Sequence, residues 1–567
     1  MGHGKSRAID RRQFVQASSV AAAALALGAT GCASSHPVAE TGGTTTQFVA
    51  GTYQATALGK KSDITVEVVF SDTAIDSVRV IDHGETERIA APAFEKIPEI
   101  IVASQSLAVD AVTGATLSSL ALLSAVEDCA RQADGDVSAL KRAEVPKEQP
   151  ADEEIECDLA VIGAGISGMA SALAAAQQGA KVVVFEKSSS MGGNALVSGG
   201  FIEYANAPEE LRVEVNDGYL KIFQEVLQFN RDAGLDASLV DEVQQQWDDY
   251  YANGNTKLFS SPEFLALQLC MLEGNTYDFQ HTYATDVEGG TAWLDTMQFP
   301  WMPLVAIPGY SWAHFSGSSE DVNGEGYFNV FEREMEGLDL RILFATPATE
   351  LITESDRVTG VIGSSANGNT YTVRAKDGVV IASGGYADNQ DMLKEHDKMW
   401  NWKDLDTFHC DNNYGHTGDG IRMATEVGAA FAELPFNQMV FPFVDTVLYA
   451  TETTVGTTNE SIYVNKAGKR FCDEGGSRTD MTIALMEQDG GVGFQVVDHD
   501  SSMITDGKTH TGMDVEYAIE RGILYRADTL EELATLMGVD ETTFLKTVAD
   551  YNEMTHTFND PEFGRSS

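Results

Sequence analysis

Three glycines carry the plainest chemistry in this chain: Gly163, Gly165 and Gly168, in the run Val161-Ile162-Gly163-Ala164-Gly165-Ile166-Ser167-Gly168. Residues 159–162 read as a buried strand, and the alanine-rich residues after the glycines read as a helix. In that setting the first glycine permits a tight turn, the second lets the backbone approach a pyrophosphate, and the third lets the helix pack close to the strand. The helix N-terminus, where Ser167 stands, offers free amides to phosphate oxygens. Residues 181–185 form a second apolar strand that Glu186 and Lys187 close. Glu186 falls about 20 residues past the glycines, where an acid accepts from a ribose 2′-hydroxyl. The alternative, a glycine-rich turn with no ligand, asks for no such acid, so the complete unit reads as a dinucleotide site.

The rest of the chain must position that site. At 567 residues, 43% of them hydrophobic, it is long enough for several cored domains of ~100–200 residues each. A formal net charge of −49 would be repelled by a phosphate backbone or an anionic membrane surface, so no nucleic acid is expected as a partner. Cys129, Cys157, Cys270, Cys410 and Cys472 are scattered singly. No spacing suits a haem, a zinc site or an iron–sulfur cluster, and no metal is expected. At the N-terminus Lys5, Arg7, Arg11 and Arg12 precede the apolar residues 20–29, which read as an export signal over 1–31. Asp10-Arg11-Arg12-Gln13-Phe14-Val15 resembles the twin-arginine signal, a route that moves already folded proteins. Ala29-Thr30-Gly31-Cys32 resembles a lipoprotein cleavage box. The expected location is the envelope side of the cytoplasmic membrane, lipid-anchored at Cys32, with plain cleavage near Ala33 as the alternative.

Composition shifts divide the remainder. Residues 32–47 form a Ser/Thr/Gly/Pro-rich tether, and 135–154 a charged linker holding Pro146 and Pro150. Between them, 48–134 read as a small α/β domain. Ile64, Val66, Val68 and Phe70 alternate as a half-buried strand with residues 78–81 as its partner, and Leu120, Leu123, Val126 and Ala130 make the apolar face of a helix over 117–133. Asp110-Ala111-Val112-Thr113-Gly114-Ala115-Thr116 matches a D-x-x-[ST]-G-A-T motif. It resembles that of the small FMN-binding domain of membrane sodium- and electron-transport flavoproteins. The resemblance implies FMN held by a phosphoester bond on Thr116, attached by a separate flavin transferase. A phosphate on a residue that opens a helix meets unpaired backbone amides; the alternative for Thr116 is a helix cap.

From Ile155 onward the chain resembles the soluble fumarate reductase and succinate dehydrogenase flavoprotein family. Besides the glycine unit, the resemblance rests on Met191-Gly192-Gly193-Asn194-Ala195 followed by Ser198-Gly199-Gly200, on Thr346-Pro347-Ala348, on Ala382-Ser383-Gly384-Gly385-Tyr386 and on Gly418-Asp419-Gly420-Ile421. It implies an α/β fold: a Rossmann-like FAD-binding domain over 155–436 with an inserted α+β capping domain over 437–567, preceded by the small FMN-binding domain. The FAD contacts it implies are Gly163, Gly165, Ser167, Gly168, Glu186, Lys187, Gly192, Gly193, Asn194, Ala195, Ser198, Gly199, Gly200, Ala348, Gly384, Gly385 and Asp419.

Gly468-Lys469-Arg470-Phe471-Cys472-Asp473-Glu474, followed by Ser477-Arg478, resembles the family's GKRF-x-[ND]-E segment, whose closing arginine is the active-site acid. Arg478 is therefore the expected catalytic residue; the alternative is a salt bridge with Glu474. Counting back from Gly468, the family's substrate-binding histidine is replaced by Phe441, and the glutamate and arginine of its proton relay by Thr454 and Thr457. A dicarboxylate would lose a clamp, which disfavours fumarate. Phe441 either stacks on a flat or apolar acid such as an aromatic acrylate or packs in the core. The family's return to the FAD domain after the cap is not met before Ser567, so the chain is expected to lack that closing segment.

These readings predict an exported flavoprotein reductase. Electrons from a membrane or cytochrome-type donor enter at FMN, pass to FAD, and reduce the C=C bond of a small unsaturated carboxylic acid opposite Arg478. The same fold running in the desaturating direction, and a non-catalytic FMN electron carrier, are the alternatives.

Overall fold

The structure, a computed structural model, describes residues 47–146, 150–271, 276–307, 310–396, 400, 410–413, 415–430, 455–456, 460–509, 512–557 and 560–565. The export signal, Cys32, Phe441, Thr454 and Thr457 lie outside the described residues.

Strands β1 (Gly51–Leu58), β2 (Asp63–Phe70) and β3 (Ile75–Asp82) form an antiparallel sheet with β2 in the middle. Ile64, Val66, Val68 and Phe70 on β2 all point into the core, as a period of two on a half-buried strand requires. Helices α1 (Glu87–Ser104) and α2 (Thr116–Gln132) cover that face, Ile97 and Ile101 from one and Leu122 and Val126 from the other.

Two features depart from the sequence reading. It contains no helix at α1, which holds Pro92 and Pro98 inside it; burial of Ala93, Ile97 and Ile101 on the sheet overrides the helix-breaking tendency. Leu120, assigned to the apolar face of α2, is 41% exposed. Leu123, Val126 and Ala130 are buried as expected, and the face is completed by Leu122, Ala125 and Cys129, which with Val126 make an i, i+3, i+4, i+7 set.

The larger sheet begins with β4 (Glu153–Ile162), crosses through α3 (Ile166–Gln177) and returns as β5 (Val182–Phe185). Four more strands complete it: β6 (Leu340–Leu343), β7 (Ala348–Glu354), β8 (Arg357–Ser364) and β9 (Thr370–Ile381), in the order β7-β8-β9-β4-β5-β6. β4 runs parallel to β9 and β5, and β5 parallel to β6, whereas β7, β8 and β9 form an antiparallel meander. All four residues of β5 are buried, as expected for a parallel strand covered on both faces.

Between β5 and β6 the chain makes a long helical excursion through Asp217–Asp232, Ala237–Ala252, Pro262–Leu269 and Tyr277–Thr296. An aromatic core holds it, with Phe223 stacked on Trp247 at 3.7 Å between centroids and Phe264 edge-on to Trp312. The helix Glu325–Met335 then packs back on α3.

After the sheet come α4 (Asp419–Glu426) and the hairpin of β10 (Ile462–Asn465) and β11 (Gly493–Val496), which flanks α5 (Arg478–Met486). The helices Leu530–Met537 and Glu541–Thr557 follow. The chain is α/β, a Rossmann-like unit preceded by a smaller α/β unit. Among the described residues no helix is long and apolar enough to cross a membrane.

Candidate functional site

The turn after β4 is built as its glycine spacing demands. Gly163 has φ +102°, which L side chains rarely adopt, and a Cβ there would sit 2.5 Å from the Ala382 carbonyl oxygen. At Gly168 a Cβ would lie 1.9 Å from the Gly163 oxygen, so α3 rides directly on the turn. At Gly165 the same atom would meet nothing within 4 Å. No side chain caps α3, and Ile166 and Ser167 are exposed. A helix N-terminus with free amides and an open glycine face is a cradle that a diphosphate fits.

Distant stretches of sequence converge on this turn. Gly192 donates its amide to the Ala164 oxygen at 2.9 Å and bridges Gly165, which lays Gly193, Asn194 and Ala195 alongside. Asn194 Oδ1 accepts from the Asn413 amide at 2.7 Å, and the Gly193 oxygen accepts from Asn413 Nδ2 at 3.4 Å. The Ala195 oxygen accepts from Ser198 Oγ at 2.9 Å, and past Gly199 the Gly200 oxygen accepts from the Tyr327 hydroxyl at 3.2 Å. A Cβ on Gly384 would lie 2.5 Å from His416 Nδ1, and the Gly385 oxygen accepts from the Gly418 amide at 3.1 Å. Ala348 opens β7, two residues after Thr346, whose amide donates to the Glu186 oxygen at 2.8 Å.

Charge is arranged around the same loop. The Glu186 carboxylate is buried and accepts the Ala164 and Ser188 amides, each at 2.7 Å. Burial pushes its pKa above the ordinary carboxylate value against the pull of those bonds. A carboxylate has about four acceptor positions, so the carboxylate that pins the turn retains capacity for a ribose hydroxyl. Lys187 Nζ donates to Asp419 Oδ2 at 2.7 Å and Thr417 Oγ1 at 3.1 Å. Burial raises Asp419, but the hydrogen bond and charge of Lys187 outweigh it and hold the carboxyl below its usual value. Burial, helped by Lys187, lowers the His416 pKa against the pull of Asp388.

Thr116 is the first residue of α2, and Ala115 in the capping position makes no side-chain capping bond. Thr116 lines a cleft with Lys60, Lys61, Glu85, Ser118 and Asn413. Glu85 organises this wall: its carboxylate accepts from the Lys61 amide at 2.7 Å, the Ser62 amide at 3.0 Å and Ser118 Oγ at 2.5 Å. Two lysines beside an open helix N-terminus suit a phosphate ester on Thr116. The turn before Thr116 also touches the glycine site, since the Thr113 oxygen accepts from the Ser189 amide at 3.0 Å.

Arg478 stands elsewhere. It opens α5, capped by Ser477 Oγ accepting from the Asp480 amide at 3.1 Å, a helix whose Met481 and Leu485 pack with Tyr463 and Cys472. Glu474, its alternative partner, is fully engaged by others. It accepts from Arg470 Nε at 2.8 Å and Nη2 at 2.5 Å, from Arg565 Nη1 at 3.3 Å and from the Tyr463 amide at 3.2 Å. Among the described residues Arg478 makes no ion pair.

Sequence reasoning missed Asn413, His416, Lys60, Lys61 and Glu85. Lys60-Lys61 carried a signal, an adjacent cation pair between strands of a very acidic chain. Asn413 and His416 carried none beyond preceding Gly418-Asp419-Gly420.

Fold and sites together define a two-flavin protein. The FAD binding domain family model matches residues 158–566, and the FMN-binding domain model matches residues 59–131. The chain belongs to the FAD- and FMN-binding fumarate reductase flavoprotein family, and FAD and FMN are its cofactors. It is 30% identical to the NADH:acrylate oxidoreductase of Vibrio harveyi over 92% of this chain and 53% of that protein, about half its length. It is 29% identical to the urocanate reductase of Eggerthella lenta over 98% of this chain and 85% of that protein. Among solved structures it is similar to the 3-ketosteroid-delta4-(5alpha)-dehydrogenase of Rhodococcus jostii RHA1, with 19% identity, a TM-score of 0.48 and coverage of 74% of this chain and 82% of that one.

Proposed function

We propose that this protein reduces the C=C bond of a small α,β-unsaturated carboxylic acid at FAD, supplied with electrons through FMN on Thr116. The observation that carries the reading is the junction of the two sites: the Thr113 oxygen bonds the Ser189 amide at 3.0 Å, three residues past Glu186, and Asn413 borders both. The names of the acrylate oxidoreductase and the urocanate reductase support the substrate class.

FAD held at the Gly163–Gly168 turn would supply hydride chemistry for the β-carbon, and FMN held on Thr116 would supply the electrons. The chain must add control of charge, because negative charge builds toward the carboxylate and a proton must reach the α-carbon. Arg478, in the family's acid position, is assigned both tasks. Its guanidinium stabilises that charge by position and gives a proton to the α-carbon, taking one back from solvent before the next turnover. Phe441 in place of the substrate histidine favours an acrylate with a flat or apolar β-substituent over a dicarboxylate. The resemblance of the Arg11-Arg12 and Cys32 segments to export and lipoprotein signals supports a location on the envelope side of the membrane, with a membrane or cytochrome-type donor and a flavin transferase as the partners that this reading calls for.

A reduced-dye assay against a panel of enoates tests the reading. Aryl acrylates are expected to oxidise the dye and fumarate is not. Activity only with saturated acids would overturn the direction. Arg478→Ala is expected to lower turnover by at least about 10²-fold with both flavins retained, and full retained activity would remove Arg478 from the role.

A further inference from the structure

Arg88 lies at the second position of α1, in the smaller unit, yet its guanidinium reaches into the larger one. Nε donates to Glu325 Oε1 at 2.7 Å, Nη1 to Glu332 Oε1 at 2.5 Å, and Nη2 to Asn329 Oδ1 at 2.7 Å and Glu332 Oε2 at 3.1 Å. Glu325, Asn329 and Glu332 stand at i, i+4 and i+7 of the helix Glu325–Met335, a single face. One guanidinium therefore meets a prepared row of acceptors. Asn329 is oriented in turn by Asp321, whose Oδ1 accepts from its Nδ2 at 3.0 Å, and the Phe328 ring centroid lies 5.9 Å from the guanidinium carbon.

The Arg88 side chain is 12% exposed. Burial works against its charge, but the two glutamates prevail and hold its pKa above the ordinary value. Ile89 beside it packs against the cores of both units. Thr86 and Ile89, flanking Arg88, line the Thr116 cleft, so whatever fixes this end of α1 fixes that cleft. A second tie, Arg521 Nη2 to Asp63 Oδ1 at 2.6 Å, rests on a single carboxylate and on an arginine that is 36% exposed.

We infer that Arg88 is a docking latch: it holds the FMN-binding unit on the FAD-binding unit and so keeps the Thr113 to Ser189 junction closed. Arg88 is a positioning residue, and the functional weight of the latch rests on the two-flavin reading above. The Ser189 amide is a built-in reporter, because its acceptor lies across the junction.

The test is hydrogen exchange on the full-length, flavin-loaded protein. In Arg88→Ala the segment holding Ser189 is expected to exchange at least about tenfold faster, while β2 and β5 keep their protection. Arg88→Lys, which keeps the charge and loses the fork, should fall between, and Arg521→Ala should leave Ser189 within about twofold. Ser189 exchange unchanged in Arg88→Ala overturns the latch. Should that variant lose protection in β5 as well, Glu332→Gln replaces it, and unchanged Ser189 exchange there is equally decisive. Turnover is read separately: a junction that opens with no loss of turnover leaves the latch standing and removes the electron path through it.

Discussion

The Thr116 site and the glycine site take related cofactors, and they are assembled in opposite ways. Thr116 sits in one contiguous unit over a single core, where the turn after β1, Glu85 and α2 supply nearly all of its surroundings. The glycine site is gathered from stretches scattered between Gly163 and Asp419, joined by the parallel pairing of β4 with β5 and β9. A contiguous site is as stable as its own unit. A gathered one also depends on strand order and on every loop that reaches it.

The largest expected effect separates the two. Gly168→Val drives a side chain into the Gly163 oxygen, which is already 1.9 Å from an added Cβ, an overpacking that costs at least about 1–3 kcal/mol. FAD should be lost while a flavin mass stays on the Thr116 peptide. Thr116→Val should do the reverse, and mass spectrometry with flavin release on denaturation reads both. If either variant loses both flavins, the sites are not independent and the contrast fails.

A second gathered assembly holds no cofactor, so its expected effect falls on stability rather than on a bound flavin. Arg470, Glu474, Asp560 and Arg565 come together in a buried network, so Glu474→Ala leaves two buried cations short of a partner. A loss of about 3–5 kcal/mol is expected in urea unfolding. A loss under about 1 kcal/mol would show that the network is screened like a surface pair.

The smallest effect concerns pH. Asp419 is held below its ordinary pKa in the folded chain. The stability from its pairing with Lys187 is therefore fully present above the usual carboxylate value near ~4 and is lost as pH falls through the lower folded value. Wild type should lose about 0.5–1 kcal/mol over that acid range that Asp419→Asn does not lose, read as Tm against pH. Glu186 has the opposite sign: its pKa is raised by burial, so its burial cost is felt as pH rises through the folded value and disappears below the unfolded one.

Legibility followed the same division. The turn around Gly163 could be read because backbone demands act on neighbours in the chain, and β2 because burial on one face imposes a strict alternation. α1 was hidden by Pro92 and Pro98, whose local preference is overridden by packing, and Arg88 was hidden with it. Leu120 was assigned to the wrong face because several apolar residues in α2 fit a helical stripe, and only the sheet beneath selects Leu122 and Val126. Glu474 was a fair partner for Arg478 by spacing alone. Arg565, from the far end of the chain, joined Arg470 in claiming it.

By itself the sequence determined the two cofactor-binding motifs, the acidic surface and the α/β class, because each is set by residue type at short range. The tertiary structure decided which stretches meet at the glycine turn, that Lys60 and Lys61 stand beside Thr116, that Glu474 belongs to Arg470 and Arg565, and that Arg88 spans the two units. Such pairings depend on strand order and on which helix faces oppose one another, and spacing along the chain does not encode either.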